Sequence, residues 1–276
     1  MKIRNDGLQL LLHKTKRTQV IDNKTQDQVH SCVIRVKNSV ATTTCLCKDG
    51  VSSLSSFSHI LTDVQEDTEI YIPDISNLLG ALKYHSKEVT LKQDVDKLRI
   101  KSYTSKKQTT LLASPGALAY SHTPKTMKEW EGEAQAVSKR ITTNDDGVWT
   151  YTTNDGDVWE AKEFMKIDAT DLFEALRCDS MNGQKVNRYR FFTEEDELYV
   201  ETGGELRGKT KTRLYVSGVI LKELDVVVQG GLEQLFSKVN GDVYICWFDF
   251  TSAGQGVKLL FQLGDEDFVL QSGLLR

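Results

Sequence analysis

The amino-acid sequence predicts an α+β protein made of two structurally repeated domains, each with two helices packed on antiparallel sheet. Three observations predict it. Four short stretches, residues 7–17, 75–82, 169–177 and 231–239, carry apolar residues at helical spacing with polar residues opposite. Most of the remaining chain alternates apolar and polar residues with period two between short turns, as strands wetted on one face do. The helices also recur at similar intervals, 67 residues from Leu8 to Ile75 and 63 from Ala169 to Leu232, which marks an internal duplication.

In chain order, Leu8, Leu11 and Leu12 form the apolar side of the first helix, and His13, Lys14, Lys16 and Arg17 lie around the other side. From Val29 to Leu61 the chain alternates, with Lys48-Asp49-Gly50 as a tight turn. A strand over 69–72 stops at Pro73, and Asp74 can cap the second helix, whose Ile75, Leu78, Leu79 and Leu82 make one stripe. Ser76, Asn77, Gly80, Tyr84 and Lys87 fall opposite, flanked by Lys83. Val89 and Leu91, then Leu98 and Ile100, then Thr110 and Leu112 read as an antiparallel meander, which completes a first domain at 1–118. Residues 119–163 read as an acidic connector. It holds Glu129, Glu131 and Glu133, and a near-repeat, TTNDDGVWTY then TTNDGDVWEA, that suggests a small hairpin. The density of Asp and Asn there raises a calcium loop, but EF-hand spacing with its terminal Glu is missing.

The second domain, 164–276, begins with Asp168 as a cap for a helix in which Ala169, Leu172, Phe173 and Leu176 are apolar and Arg177 points away. Strands follow over 189–192, 198–201 and 213–216. A fourth helix sets Leu232, Leu235, Phe236 and Val239 opposite Gln234 and Lys238, and a last meander contains VYICWFDF and VKLLFQL.

With 39% hydrophobic and 27% charged residues among 276, the composition is that of a globular protein with room for two cores. No apolar run reaches the roughly 18 residues of a membrane span, and the first residues hold too short an apolar run for a signal peptide, so an intracellular, cytoplasmic protein without membrane contact is expected. Five cysteines and five scattered histidines give no metal spacing, so no metal or cofactor is expected. The net charge of -4 hides an asymmetry: residues 1–127 hold 18 basic and 12 acidic side chains, residues 128–276 hold 17 and 27. A nucleic-acid surface must therefore be local.

One motif points to ATP hydrolysis. Gly203 to Thr210, GGELRGKT, matches the phosphate loop G-x-x-x-x-G-K-[ST] after a strand-like stretch. That chemistry needs a helix starting at the Lys-Thr, whereas KTRLYVSGVIL is rich in β-branched residues, and only 66 residues remain for further βα units. A Gly-rich hairpin turn fits better. No other catalytic grouping is present, and the protein reads as a non-enzyme.

The order of elements resembles the sliding clamps, or DNA polymerase processivity factors, and among them the two-domain clamp of T-even-type tailed bacteriophages. The likeness lies in EIYIPDISNLLGAL followed by the meander ending in TTLLASP, and again in DATDLFEALR, TRLYVS and LEQLFSKVNGDVYICWFDF. This resemblance implies a homotrimeric ring of pseudo-sixfold symmetry with helices inside and sheets outside. Such a ring encircles duplex DNA without regard to sequence, tethers the replicative DNA polymerase, is placed by an ATP-dependent clamp loader, and has no catalytic residues. It points to Lys14, Lys16, Arg17, Lys83, Lys87, Arg177 and Lys238 as the inner, DNA-facing cations. It also points to head-to-tail pairing of an edge strand holding Thr109, Thr110, Leu111 and Leu112 with one holding Thr212, Arg213, Leu214, Tyr215 and Val216. A DNA- or protein-binding accessory module without a ring is the second reading, and the P-loop ATPase the third.

Overall fold

The structure is a computed structural model that describes residues 1–21, 24–47, 53–60, 67–94, 97–112, 127–177, 188–204, 208–218, 224–229, 231–253, 256–263 and 267–275. The chain divides into two compact units: Met1–Arg17, Asp27–Gly50 and Ser55–Gln135 form the first, and Thr18–Gln26, Val51–Leu54 and Ala136–Arg276 the second.

The elements begin with β1 (Lys2–Arg4), α1 (Asn5–Thr15), β2 (Arg17–Ile21), β3 (Lys24–Val29), β4 (Cys32–Lys37), β5 (Val40–Leu46), β6 (Ser53–Ile60) and β7 (Thr68–Ile72). They continue with α2 (Ile75–Leu82), β8 (Glu88–Asp94), β9 (Lys97–Ser102), β10 (Gln108–Leu112) and α3 (Met127–Ser138). In the first unit β1-β8-β9-β10 is one antiparallel sheet, and β4 pairs with both β5 and β7. β2 and β3 form a separate ribbon. The stripe of α2 forms as its spacing predicts: Ile75, Leu78, Leu79 and Leu82 are buried, and the Asp74 carboxylate accepts from the Asn77 N–H at 2.8 Å to cap the helix. Helices α1 and α2 pack together, with the Asn5 carboxamide donating to the carbonyls of Leu82 (2.9 Å) and Ser86 (3.0 Å) at the end of α2.

The rest of the chain is β11 (Ile141–Thr143), β12 (Trp149–Thr152), β13 (Val158–Glu160), β14 (Lys162–Asp168), α4 (Ala169–Arg177), β15 (Arg188–Glu194), β16 (Glu197–Gly204), β17 (Gly208–Leu214), β18 (Val216–Gly218), β19 (Asp225–Gln229), α5 (Leu232–Phe236), β20 (Asp242–Asp249), β21 (Val257–Gln262) and β22 (Phe268–Leu275). In the second unit the strand order is β17-β16-β15-β19-β22-β21-β20-β14-β18. Asp168 caps α4 through the Thr170 N–H at 2.7 Å, and α4 packs on α5. The duplication is visible in pairing. In both units the strand that leads into the first helix of the pair is bonded to the strand after the second helix, β1 to β8 and β14 to β20. A strand lying between the two helices pairs with the strand that leads into the second helix, β4 with β7 and β15 with β19. Both units also carry a two-residue hairpin turn with left-handed residues, Asn38-Ser39 (φ 49 and 63°) and Glu195-Asp196 (φ 51 and 61°).

Several expectations change. Residues 127–138, read as acidic connector, form α3. It lies on the first unit, where Ala134 is fully buried, Gln135 donates to Thr44 Oγ1 at 2.8 Å, and Glu131, 8% exposed, accepts from Arg35 at 3.0 Å. The expected hairpin is a three-stranded sheet, β11-β12-β13, in which Asn144 Oδ1 accepts the N–H groups of Asp146 and Val148. The edge strand expected to hold Thr212 to Val216 ends at Leu214; Tyr215 lies outside any strand, and Val216 starts β18, which pairs with β14. The turn at 48–50 lies outside the described residues.

Candidate nucleic-acid interface

The described residues of the phosphate-loop motif lie in strands. Gly203 and Gly204 end β16 and Gly208 begins β17, with Gly204 opposite Gly208, so Lys209 and Thr210 lie in a strand and not at a helix N-terminus. Lys209 is paired to Glu201 at 2.8 Å. The ATPase reading is thereby overturned. Cys32, Cys45, Cys47 and Cys246 are buried free thiols, and burial pushes Cys45 and Cys246 up to about 12, far from nucleophilic use.

The helix cations fall into three groups. Around α1 and α2, Lys14 and Lys16 are half-exposed and Lys83 and Lys87 exposed. Lys16 donates to Ser76 Oγ at 2.7 Å, tying the end of α1 to the start of α2. The loop after α2 is braced: Lys107 donates to the Tyr84 carbonyl at 3.1 Å, and His85 bridges Ser102 Oγ (2.9 Å) and Thr109 Oγ1 (2.8 Å). Burial first, and then Lys107, lowers the His85 pKa, so the ring stays neutral in this bridge. Tyr84 itself is 73% exposed among these lysines.

Around α4 and α5 the balance differs. Arg177 is half-exposed, pairs with Glu174 at 3.2 Å and sits over the Phe173 ring at 5.5 Å; Lys238 is exposed. Asp171 and Glu174 are exposed on the same helix, so this surface is not cationic overall.

Arg17 forms the third group, and the structure corrects its assignment. It opens β2 rather than ending α1, and at 1% exposed it is among the most deeply buried large side chains. An arginine so enclosed cannot meet DNA. Nothing local in LLHKTKR separates it from its neighbours, because α1 stops at Thr15, whose hydroxyl donates to the Leu11 carbonyl at 2.7 Å.

Both edge-strand expectations concern true ends of the strand orders. β10 ends β1-β8-β9-β10, and β17 ends the order of the second unit. The cations of β17 are compensated within their own sheet: Lys209 by Glu201, Lys211 by Glu194, and Arg213 by Glu197 at 2.7 Å. Among the described residues no group of three or more His, Cys, Asp or Glu side chains could hold a metal, and no helix is long and apolar enough to cross a membrane.

No protein-family model and no curated protein matches the sequence. Solved structures do match. The β subunit from DNA polymerase of Streptococcus pyogenes superposes with a TM-score of 0.66 at 10% identity, covering 100% of this chain and 66% of the other. The DNA polymerase sliding clamp from Bacillus subtilis gives 0.66 at 11% identity, with 100% and 64% covered, and that from Caulobacter crescentus 0.63 at 10%, with 100% and 65%. The chain thus has the sliding-clamp fold along its whole length and spans about two thirds of the length of those proteins.

Proposed function

We propose that this chain is a DNA sliding clamp, a non-enzymatic processivity factor that encircles duplex DNA and tethers a replicative DNA polymerase. The observation that carries the reading is the superposition of the whole chain on sliding clamps, together with the twice-repeated helix pair on sheet. The finer reading is a homotrimer of the kind found in T-even-type bacteriophages, placed by an ATP-dependent loader and working in the host cytoplasm, with a first domain at 1–118, a connector at 119–163 and a second domain at 164–276. Lys14, Lys16, Lys83 and Lys87, with Arg177 and Lys238 contributing less, attract phosphates along the bore. Thr109 to Leu112 of one subunit pair with Thr212 to Leu214 of the next, and Tyr215 and Val216 flank the junction, which satisfies main-chain groups that each edge leaves open.

The test is particle mass in solution with and without circular duplex DNA. A mass three times the 31.1 kDa of the chain, and retention on circular but not on linear DNA, is expected. A monomer that never acquires retention on circles refutes the ring. Within it, Lys16→Glu, Lys83→Glu and Lys87→Glu together should flatten the salt dependence of retention by a slope of roughly 3, at about 0.9 per phosphate contact. Arg177→Glu with Lys238→Glu should change it by less than half as much.

A further inference from the structure

The solvent face of the sheet β1-β8-β9-β10 carries a second cationic surface, away from the helices. Along β9, Leu98, Ile100 and Ser102 are buried, while Lys97, Arg99 and Lys101 alternate with them and are exposed. Cross-strand register extends this row into a lattice. Lys101 lies between Thr90 and Gln108, with Lys2 beyond Thr90; Arg99 lies between Lys92 and Thr110; Lys97 lies opposite Asp94.

Two carboxylates of this face are engaged, Glu88 by Lys2 at 3.2 Å and Asp94 by Arg99 at 3.0 Å. Among the described residues no carboxylate pairs with Lys92, Lys97 or Lys101. Lys92 and Arg99 are also directly opposed across the ladder, an arrangement of like charges that costs stability unless an anion lies between them. The comparison with β17 is direct. Its Lys209, Lys211 and Arg213 have the same spacing, and each has its own glutamate.

We propose that this sheet face binds the phosphate backbone of single-stranded nucleic acid. Cations at alternate positions of β9 stand about 6.7 Å apart along a straight line, so one extended backbone can follow them. Lysines act as point charges that neutralise phosphate without reading sequence, and Thr90, Gln108 and Thr110 between them add hydrogen-bonding groups. Tyr103, 63% exposed at the end of the sheet with Lys2 over its ring at 4.1 Å, offers a face on which a base can stack. A protein partner fits this face less well, since protein interfaces are depleted in lysine. A flat sheet face likewise does not enter the grooves of a duplex.

The test is binding of the full chain to a labelled linear oligodeoxythymidine, followed by fluorescence anisotropy across a salt series. Linear single strands separate this surface from topological retention on circular duplex, so failure here leaves the clamp reading standing and the converse also holds. Lys92→Glu, Lys97→Glu and Lys101→Glu together should weaken binding at least about tenfold and flatten the log–log salt slope by about 2, at about 0.7 per contact with a single strand. Lys209→Gln with Lys211→Gln, whose charges are already met by Glu201 and Glu194, should leave it within about twofold. An unaltered triple variant, an unlabelled duplex that competes equally well, or polyglutamate of equal charge that competes equally well would each overturn the proposal. Matching circular dichroism and urea midpoints establish that the triple variant is folded.

Discussion

The two units share one order of elements and complete it with different chemistry. In each, the first N–H of the first helix donates to the carbonyl just before the strand that follows the second helix: Asn5 to Lys87 at 2.7 Å, and Ala169 to Gly241 at 2.8 Å. That shared bond aligns Lys83-Tyr84-His85-Ser86-Lys87 of the first unit with Ser237-Lys238-Val239-Asn240-Gly241 of the second. His85, at the middle of the first loop, is held by two hydroxyls, whereas Val239 at the same place is simply buried. The last strands differ to match: β22 is paired on both sides within its unit, to β19 and β21, while β10 pairs with β9 alone in its sheet. A duplicated scaffold thus keeps its backbone bonds and varies what surrounds them, placing cations and a last strand bonded on one side in the first unit, and an apolar loop and a last strand bonded on both sides in the second.

The largest expected effect separates two glycines at helix starts. A Cβ on Gly231, the N-cap of α5, would overlap the Thr18 carbonyl, which is backbone; one on Gly7, in the first turn of α1, would overlap the His59 ring, which can swing away. Gly231→Ala should therefore cost roughly 3 kcal/mol or more in urea unfolding, and Gly7→Ala roughly 1 kcal/mol. Equal costs would mean that the first unit cannot yield at its helix start either.

A smaller contrast concerns Arg35 on β4 and Arg190 on β15, each on the strand that pairs with the one leading into the second helix. Arg190 pairs with Asp225 through two bonds of 2.7 Å at a partly wetted surface, so Arg190→Ala should cost under about 1 kcal/mol. Arg35 bridges Glu69 at 2.9 Å and the buried Glu131 of α3 at 3.0 Å. Removing it leaves Glu131 enclosed without a counter-charge, at about 2 kcal/mol. Burial raises the Glu131 pKa, and Arg35 opposes that shift. The native state keeps this proton to higher pH than the unfolded chain does, so the contribution of Glu131 falls as pH rises through that window. Arg35→Ala should deepen the fall, seen as a larger loss of urea midpoint between acidic and neutral buffer; a pH-independent cost would detach α3 from this ion pair.

What was legible in the sequence was whatever a single element decides for itself. The stripe of α2, its Asp74 cap and the period-two meander after it are local patterns, and they folded as read. Helix α3 was hidden because its composition, EWEGEAQA, spells a solvated acidic run. Its signal was Trp130, Ala134 and Val137 at helical spacing among strong helix formers. The hairpin turns at 38–39 and 195–196 lack the glycine that announces left-handed residues. Arg17 and the break at Tyr215 were beyond local reading, since enclosure and strand partner are decided by residues distant in the chain. For the candidate site, the exposed lysines beside α2 were legible as charge, whereas the contrast between the β9 and β17 rows depends on which glutamates stand across the ladder.

The smallest expected effect probes the loop at the centre of the comparison. The native His85 pKa is lowered by burial and by Lys107, so the unfolded chain binds a proton that the native loop excludes. Stability from this group is therefore present above the ordinary histidine value of about 6.5 and is lost as pH falls from there toward the lowered native value. The Val239 position of the second unit has no such group. His85→Gln keeps polar atoms within reach of Ser102 and Thr109 but cannot titrate, so its urea midpoint should change less between pH of about 7.5 and about 5.5 than that of the natural sequence, by an amount worth below about 1 kcal/mol. If β10 serves as the junction between subunits, the same acidification should loosen assembly in the natural sequence and spare the variant, as read by particle mass at both pH values. A His85→Gln protein as acid-sensitive as the natural one would place the titrating group elsewhere and remove the distinction drawn between a hydrogen-bonded and an apolar loop.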